Sequence, residues 1–343
     1  MKIDAQVFKK VLVSLNGCSS ISTCSDPSVV LSCNGEDGLH VSAEFGCMDY
    51  IIRHSISGYG EQFDQCEINY KRLKAVVSGI EGQVDLDFRD NKLILKSEFN
   101  HEIKACKPEN VREFKFEMKD TPVEFDSLPD IMRTLVKFAA KDDPHVLLNG
   151  IYFDNDGKKI VATDGHRMSI TECPIKTPNA IVPRVACAAL SKVKSPVQCK
   201  FGTGRAYFRY GDVEAIARYI PGEYPDYNRV IPKDSGVKVA IDGGKLQRFI
   251  KSSKAYLGRD GGIKLYSEGA AMKAKASCPD LGDAERDLGD SNGIEIDIGL
   301  QASYLNEYLE KDTELEFSYY GELSPITIEK DGFLHVLMPV RIS

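Results

Sequence analysis

One pattern of apolar and polar residues occurs three times along the chain: a short apolar strand, an Asp, and then an amphipathic run. The three copies are KIDAQVFKKVLVSL, VEFDSLPDIMRTLVKF and VAIDGGKLQRFIKSSKAYL. In each copy the Asp can accept hydrogen bonds from the first turn of a helix. These candidate caps, Asp4, Asp126 and Asp242, are 122 and 116 residues apart. The spacing predicts tandem domains of one architecture.

A second amphipathic run lies about halfway along each copy, at 69–80, 183–194 and 299–311. Each copy also contains segments of alternating apolar and polar residues that predict antiparallel hairpins, with Asp-Asn, Asp-Gly or Lys-Asp-Gly turns. Two helices packed on an antiparallel sheet, three times over, predict an α+β chain.

Domain boundaries follow from the positions of these repeats. The predicted domains are 1–119, 120–236 and 237–343, with linkers near 117–122 and 233–238. The segment 278–293, CPDLGDAERDLGDSNG, is acidic and rich in Gly, and we expect it to be an exposed loop.

The stretch 146–170, VLLNGIYFDNDGKKIVATDGHRMSI, has apolar runs at both ends and turn residues in its middle. It predicts a hairpin whose second strand runs into the polar cluster ATDGHR. Such a cluster is either a bulge, in which Asp164 and His166 satisfy backbone groups, or part of a working site. One enzymatic alternative is a nucleotide-handling hydrolase, with Asp164 and His166 as an acid–base pair near Tyr224 or Asp226. The chain, however, has no metal-ligand spacing, P-loop or nucleophile elbow.

The composition narrows the class of protein. The chain has 343 residues, 42% hydrophobic and 28% charged, as in ordinary globular proteins. Its ten cysteines include no Cys-x-x-Cys pair, which argues against a zinc site and for reduced thiols in the cytoplasm. The N-terminus has no apolar signal region, and no run approaches the length of a membrane span. We therefore expect no membrane partner, no metal and no cofactor.

Charge is divided unevenly between the helical runs and the rest of the chain. The net charge is −7, which by itself argues against a nucleic-acid partner. Six helical runs, 4–15, 69–80, 127–141, 183–194, 243–257 and 299–311, nevertheless hold 16 Lys and Arg against four Asp and Glu, and the remainder of the chain holds 28 against 47. Basic helix faces without a motif for reading bases suit sequence-independent contact with phosphates. The alternative is that these side chains are simply solvated.

Three motifs occur in order: LNG followed by ATDGHR, GEYPDYNRVIP at 222–232, and LMPVRIS at 337–343. Together they resemble the bacterial β sliding clamp family, the processivity subunit of the replicative DNA polymerase. The resemblance implies three tandem copies of the DNA-clamp domain that assemble into a closed ring around double-stranded DNA, without catalysis. The residues expected to face DNA are Lys9, Lys10, Lys71, Arg72, Lys74, Arg133, Lys137, Lys141, Arg184, Lys192, Lys194, Lys245, Arg248 and Lys251.

The resemblance also implies a hydrophobic cleft between the middle and last domains that receives a short peptide containing Gln and Leu or Phe. The replicative polymerase, the clamp loader and other proteins would carry that peptide. Apolar walls accept anchor side chains, and Met adapts to different peptides. The expected cleft residues are Leu148, Thr163, Gly165, His166, Arg167, Met168, Pro225, Arg229, Val230, Leu323, Pro325, Val336, Leu337, Met338, Pro339, Val340 and Arg341.

Clamps of this family usually pair head to tail through edge strands of the first and last domains. The matching first-domain strand is expected at 95–106, with Glu102 and Lys104 at positions where the family tends to be apolar. The opposing edge is expected near Lys254 and Tyr256. A homodimer joined in this way would be sensitive to salt. The loop 17–28 lacks a basic residue that many clamps place against DNA.

Overall fold

The structure is a computed structural model, and it describes residues 1–19, 28–33, 38–45, 50–108, 122–257, 261–309 and 313–342. Most of the predicted loop 17–28 and of the linker 117–122 lies outside these ranges, as do Glu310, Lys311 and Ser343.

The described residues form six α-helices and twenty-four strands. The helices are α1 Ala5–Ser19, α2 Tyr70–Ser78, α3 Leu128–Leu135, α4 Arg184–Leu190, α5 Gly243–Ser252 and α6 Ala302–Leu305. The strands are β1 Lys2–Asp4, β2 Ser28–Ser32, β3 Leu39–Phe45, β4 Tyr50–Ile56, β5 Cys66–Asn69, β6 Gln83–Arg89, β7 Lys92–Lys96, β8 Asn100–Lys104, β9 Val123–Glu124, β10 Gly150–Asp154, β11 Lys159–Thr163, β12 Arg167–Glu172, β13 Ala180–Pro183, β14 Gln198–Phe201, β15 Arg205–Tyr210, β16 Val213–Arg218, β17 Val237–Asp242, β18 Gly262–Glu268, β19 Ala271–Cys278, β20 Gly282–Asp290, β21 Asp297–Gln301, β22 Glu314–Tyr319, β23 Ile326–Lys330 and β24 Phe333–Leu337.

The chain divides into two compact units. The first comprises Met1–Lys158 and Cys173–Glu223, and the second comprises Lys159–Glu172 and Tyr224–Ser343.

The first unit contains two antiparallel sheets covered by helices. One has four strands in the order β1-β6-β7-β8, and the other has eight in the order β5-β2-β3-β4-β16-β15-β14-β9. Helix α1 packs against α2 and α4, and α3 packs against α4. Phe8, Tyr50, Phe138 and Phe208 are among its largest fully buried side chains. Their burial supplies the apolar stabilisation that holds helices on sheets.

The second unit has the same kind of construction. Its strands β11-β12-β24-β23-β22-β17 are neighbours in one sheet, and β20-β19-β18-β21 form another. Helix α5 packs on β17, β20 and β22 through Leu246, Phe249 and Ile250, which are buried. The predicted α+β class is therefore confirmed, while the boundaries 1–119, 120–236 and 237–343 stay a prediction.

Two of the three predicted helix caps are confirmed. The carboxylate of Asp4 accepts the N–H groups of Gln6 and Val7, and that of Asp242 accepts the N–H of Lys245 at 2.7 Å. The prediction for Asp126 is wrong, because α3 begins one residue later, with Ser127 at the cap position and without a side-chain cap bond. A Pro in its first turn removes one of the N–H groups that such a cap would satisfy.

Two further predictions of local structure are wrong. Residues 299–311 do not form one helix: 299–301 end β21, and α6 covers only Ala302–Leu305. The segment 278–293 is not a loop, because most of it forms strand β20 at the edge of a sheet. Ion pairs between β19 and β20 explain why this acidic segment pairs as a strand. Lys273 Nζ lies 3.2 Å from Glu285, and Lys275 Nζ lies 2.7 Å from Asp283. Opposite charges on neighbouring strands favour pairing despite low β-propensity.

The strand expected at 95–106 is interrupted by a turn at 97–99 and belongs to two strands, β7 and β8. Its second half, β8, lies at the sheet edge. Lys254–Tyr256 form a 3₁₀ helix and not an edge strand, and this helix packs against β19 and β20.

Candidate functional site

Residues 163–167 form a tight turn between β11 and β12. The hydroxyl of Thr163 donates to the carbonyl of Arg167 at 2.7 Å and accepts the N–H of Gly165 at 3.0 Å. Oδ1 of Asp164 accepts the N–H groups of His166 and Arg167, each at 3.0 Å. Gly165 has φ +86°, a backbone conformation that glycine adopts without strain. The polar cluster is therefore a hairpin turn, held by hydrogen bonds among its own residues, and not a bulge within one strand.

The side chain of Arg167 connects this turn to the segment after α6. Its Nε donates to Asp164 at 3.0 Å, and Nη1 donates to Glu307 at 2.7 Å. The guanidinium lies 4.3 Å from the centre of the Tyr304 ring. Burial opposes the charge on Arg167, but the hydrogen bonds that Arg167 donates to Glu307 and Asp164 outweigh this effect and raise the pKa of Arg167. Arg167 is only 8% exposed, so it acts by positioning the turn more than by offering its charge to a ligand.

The turn does not contain an acid–base pair. Both oxygens of Asp164 are engaged, by backbone N–H groups and by Arg167. His166 is exposed, and no hydrogen bond within the described residues joins its ring to Asp164. Burial raises the pKa of the nearby Tyr224 hydroxyl, which makes it a poorer acid at neutral pH. Asp226 accepts the N–H of Asn228 as the cap of a 3₁₀ helix. The hydrolase alternative is not supported.

An open pocket of about 360 Å³ lies in the second unit. The 3₁₀ helix Tyr227–Val230 and the residues after it form one side, the loop between β22 and β23 forms another, and Met338 contributes from the tail. Four expected cleft residues line it: Arg229, Val230, Pro325 and Met338. The motif-based prediction missed other lining residues, Ile231, Pro232, Asp234, Ser235, Tyr320 and Ser324. Ile231 and Pro232 belong to the motif GEYPDYNRVIP, so its full length was the available signal.

Other expected cleft residues have different positions. Met168, Val336 and Leu337 are at most 2% exposed within the β12–β24 pair, so they belong to the sheet core and are not among the residues that line the pocket. Leu323 is 79% exposed beside the pocket residue Ser324. Leu148 belongs to the first unit, in the 3₁₀ helix Val146–Asn149. Pro225 and Arg341 are exposed, and Pro339 and Val340 are half-buried.

The C-terminal tail, residues 338–342, is held by two backbone hydrogen bonds. The N–H of Met338 donates to the carbonyl of His166 at 3.0 Å. The N–H of Val340 donates to the carbonyl of Gly299 on β21 at 2.9 Å. These bonds attach the tail both to the 163–167 turn and to the neighbouring sheet.

The basic residues expected to face DNA differ in their exposure and in their contacts. Arg184 is half-buried, and its Nε donates to the carbonyl of Val136 at 3.2 Å, while burial lowers its pKa. Arg133 forms an ion pair with Asp130 on the same helix. The exposed members of the set are Lys10, Lys71, Arg72, Arg133, Lys137, Lys141, Lys192, Lys194, Arg248 and Lys251, and the half-buried ones are Lys9, Lys74, Arg184 and Lys245.

Residues expected at a dimer interface lie at the periphery of the two units. Glu102 on β8 forms an ion pair at 2.7 Å with Lys92 on β7, and both side chains are about half exposed. This pairing lowers the pKa of Glu102 and raises that of Lys92. Lys104 is exposed on the same strand, Lys254 is exposed, and Tyr256 is half-buried.

Neither a metal site nor a membrane span occurs in the part of the chain that the structure describes. Within these ranges, no group of three or more His, Cys, Asp or Glu side chains is placed to hold a metal ion. None of the helices described is long and apolar enough to span a membrane.

Comparison with known proteins identifies the relatives of this chain. Residues 123–226 match the family model of the DNA polymerase III beta subunit, central domain. The chain is similar to the bacterial β sliding clamps. It is 27% identical to the beta sliding clamp of Staphylococcus aureus over 198 residues, and 28% identical to that of Salmonella typhimurium over 221 residues. The match spans 52% and 60% of the length of these relatives, so about half of each is covered.

The fold is similar over nearly the full length of solved sliding clamps. The sliding clamp (DNA polymerase III subunit beta) of Bartonella birtlesii, solved bound to griselimycin, has a TM-score of 0.86 at 21% identity, with 100% of this chain and 99% of that chain covered. The DNA polymerase III beta subunit of Thermotoga maritima has a TM-score of 0.86 at 17% identity, with the same coverage. The resemblance predicted from three motifs is therefore confirmed, and so is the predicted architecture of repeated clamp domains.

Proposed function

We propose that this chain is a DNA sliding clamp, a processivity factor without catalytic activity of its own. As a head-to-tail homodimer it encircles double-stranded DNA in the cytoplasm and tethers the replicative polymerase. The clamp loader and other proteins with a clamp-binding peptide use the same pocket. The three domains, 1–119, 120–236 and 237–343, each supply two helices to the surface that faces DNA.

The observation that carries this proposal is the open pocket beside the 163–167 turn. Val230, Pro325 and Met338 offer apolar surface for an anchor side chain, and the polar groups of Tyr320 and Ser324 can orient a peptide backbone. Met is well suited to several different anchors because its side chain is flexible and polarizable. Such a pocket fits a short peptide better than a small polar substrate.

The distribution of charge supports sequence-independent contact with DNA. Most of the basic residues on and just after the helices are exposed, and Arg248 and Lys251 lie on α5 opposite the buried Leu246 and Phe249. Phosphate contacts of this kind carry no sequence information, and they weaken with salt. The acidic remainder of the chain disfavours adhesion to DNA that is not encircled.

The test of encirclement compares closed and linear DNA. Protein loaded on a primed circle should remain bound, and it should be lost once the circle is cut, because a ring slides off an end. Arg248→Glu with Lys251→Glu should weaken retention, whereas Lys176→Glu, an exposed position outside the helices, is the matched control. Equal loss from circular and linear DNA contradicts the ring.

We also propose that the dimer forms between strands β8 and β20. Both are edge strands of their sheets, and unpaired edges offer backbone groups to another chain. Strand β21 is the other edge of the sheet that contains β20, and it already bonds to the C-terminal tail through Gly299 and Val340. Lys254 and Tyr256 flank this junction, because their 3₁₀ helix packs against β20.

The charges on both edges make the dimer sensitive to salt. Exposed ion pairs contribute about 0–1 kcal/mol each and are screened as salt rises. Sedimentation across a salt series should therefore show a dissociation constant that increases with ionic strength. A constant that stays flat from low to high salt contradicts the electrostatic part, and Glu102→Gln should reduce the dependence.

A further inference from the structure

The C-terminal tail lies on two glycines of the β20-β19-β18-β21 sheet. A Cβ atom on Gly299 would lie 2.2 Å from the carbonyl oxygen of Val340 and 2.9 Å from Cγ1 of Ile342. A Cβ atom on Gly262 would lie 3.3 Å from side-chain carbons of the same two residues. Neither glycine has a positive φ, so close approach of the tail, and not backbone conformation, requires them.

The contact at Gly299 is the tighter of the two. The backbone of the tail meets β21 with one hydrogen bond, from the N–H of Val340 to the carbonyl of Gly299 at 2.9 Å. A Cβ at 2.2 Å from a backbone oxygen cannot be accommodated by rotating a side chain, so one of the two backbones must move. At Gly262 the neighbours are the ends of side chains, which can move by a few tenths of an ångström.

The contact between the tail and Gly299 directly follows the pocket residue Met338 in the chain. Met338 lines the pocket and bonds through its N–H to His166, and Val340 bonds to Gly299 two residues later. Pro339, between them, has no N–H to donate. The position of Met338 therefore depends on one bond to the 163–167 turn and one bond to β21.

We infer that Gly299 is a positioning residue for the open pocket described above, the partner pocket. By allowing the tail to lie against β21, Gly299 holds Met338 in the wall of that pocket. This inference rests on the proposed function, because the pocket is the one assigned to partner peptides. Gly299 is not among the residues that line the pocket, and it acts through the tail alone.

Substitutions at the two glycines should have graded effects. Gly299→Ala should displace the tail from β21. The affinity for a partner peptide should then fall by about tenfold, as expected for the loss of one apolar side chain from the pocket wall. Gly262→Ala should have a smaller effect in the same direction, because its neighbours can adjust. Gly79→Ala is the matched control, since a Cβ there has no neighbour closer than 3.7 Å and the residue lies in the first unit.

The experiment is a double-mutant cycle between Gly299→Ala and deletion of residues 339–343. A fluorescent Gln-Leu-Phe-type peptide is titrated by anisotropy against the full chain and the three variants. If Gly299 acts through the tail, Gly299→Ala should add nothing once the tail is deleted. Hydrogen exchange at the Val340 amide is the second readout, because this N–H should lose its protection in Gly299→Ala.

The outcomes separate this inference from the proposed function. Unchanged peptide affinity with a protected Val340 amide in Gly299→Ala overturns the inference. Additive losses also overturn it, because they mean that the alanine damages the sheet and does not act through the tail. If the tail deletion binds the peptide as well as the full chain does, the proposed peptide pocket is wrong. Hydrogen exchange at the Val340 amide in Gly299→Ala still tests whether Gly299 positions the tail. Should Gly299→Ala unfold, Gly262→Ala takes its place in the same cycle.

Discussion

The 163–167 turn and the C-terminal tail, which are joined by the hydrogen bond from Met338 to His166, are held in place in different ways. The 163–167 turn is held by hydrogen bonds among its own residues, with Thr163 and Asp164 as acceptors and Gly165 at positive φ. The tail is held instead by His166 and Gly299, which are distant from it in sequence. The turn is therefore specified by adjacent residues, while the tail is specified by where the rest of the fold places its partners. Substitutions should damage the turn and the tail in different ways.

The largest expected effect comes from Arg167, which ties the turn to a distant segment of the chain. Arg167→Met keeps most of the side-chain volume but leaves Asp164 and Glu307 without their cation. Breaking a buried ion pair in this way should lower the free energy of unfolding by about 3 kcal/mol. Urea unfolding checks this value.

Glu307→Gln is the control for Arg167→Met. Glu307 is partly exposed and makes only one of the two ion pairs, so its loss should cost about 1 kcal/mol. Equal losses in the two variants would mean that the turn depends on the tertiary contact alone, and the contrast between the turn and the tail would then be wrong.

Deletion of residues 339–343 should release Met338 from its place in the pocket wall, because the bond from Val340 to Gly299 is lost, without unfolding the protein. A buried anchor side chain contributes roughly 1.5–3 kcal/mol, so the affinity for a Gln-Leu-Phe-type peptide should fall by about tenfold to a hundredfold. Stimulation of the polymerase should fall with it. The dimer should persist, because β8 and β20 are not part of the tail. Unchanged peptide affinity would move the partner site to another face.

Acid should destabilise the first unit more than it weakens either the turn or the tail. His54 is buried in the first unit beside the Ser14 hydroxyl at 3.0 Å, and burial lowers its pKa to about 4, against an opposing effect of Asp212. The unfolded chain therefore binds a proton more readily, and stability is lost as the pH falls from 6.5 towards 4. At about pH 5 the loss should be about 2 kcal/mol.

His54→Gln is the control for this pH dependence, since Gln can bond to Ser14 without titrating. Thermal unfolding between about pH 7 and pH 5 should show a smaller shift for this variant than for the unsubstituted chain. Peptide binding at the lower pH should be affected less than unfolding, because the turn and the tail are in the second unit. An identical pH dependence in both proteins would exclude His54 as its origin.

The smallest expected effect is that of His166→Ala. The backbone of His166 carries the bonds to Asp164 and Met338, while its ring is exposed. Peptide affinity should fall by less than about threefold, within the range of an exposed substitution. A loss as large as that of the tail deletion would show that the ring itself contacts the peptide.

Local sequence patterns predicted much of the fold, for identifiable reasons. Asp90-Asn91 and Asp331-Gly332 have positive φ at hairpin turns, as such pairs require, and Asp4 and Asp242 cap helices. The prediction at 278–293 failed because contacts between different strands decide the structure there. Strand β20 reads as an acidic loop because its pairing depends on Lys273 and Lys275 of the neighbouring strand.

The sequence by itself determined the repeated helix-and-sheet pattern, the separation of basic helices from the acidic remainder, and the resemblance to the β sliding clamps. It also encodes the 163–167 turn, because the groups that satisfy its backbone lie within five residues of one another. Only the tertiary structure decided that Arg167 points inward to Glu307, that Met168 and Leu337 are core residues, and that the tail lies on Gly299. The physical reason is that burial and close backbone approach depend on residues far apart in the chain, which no local pattern records.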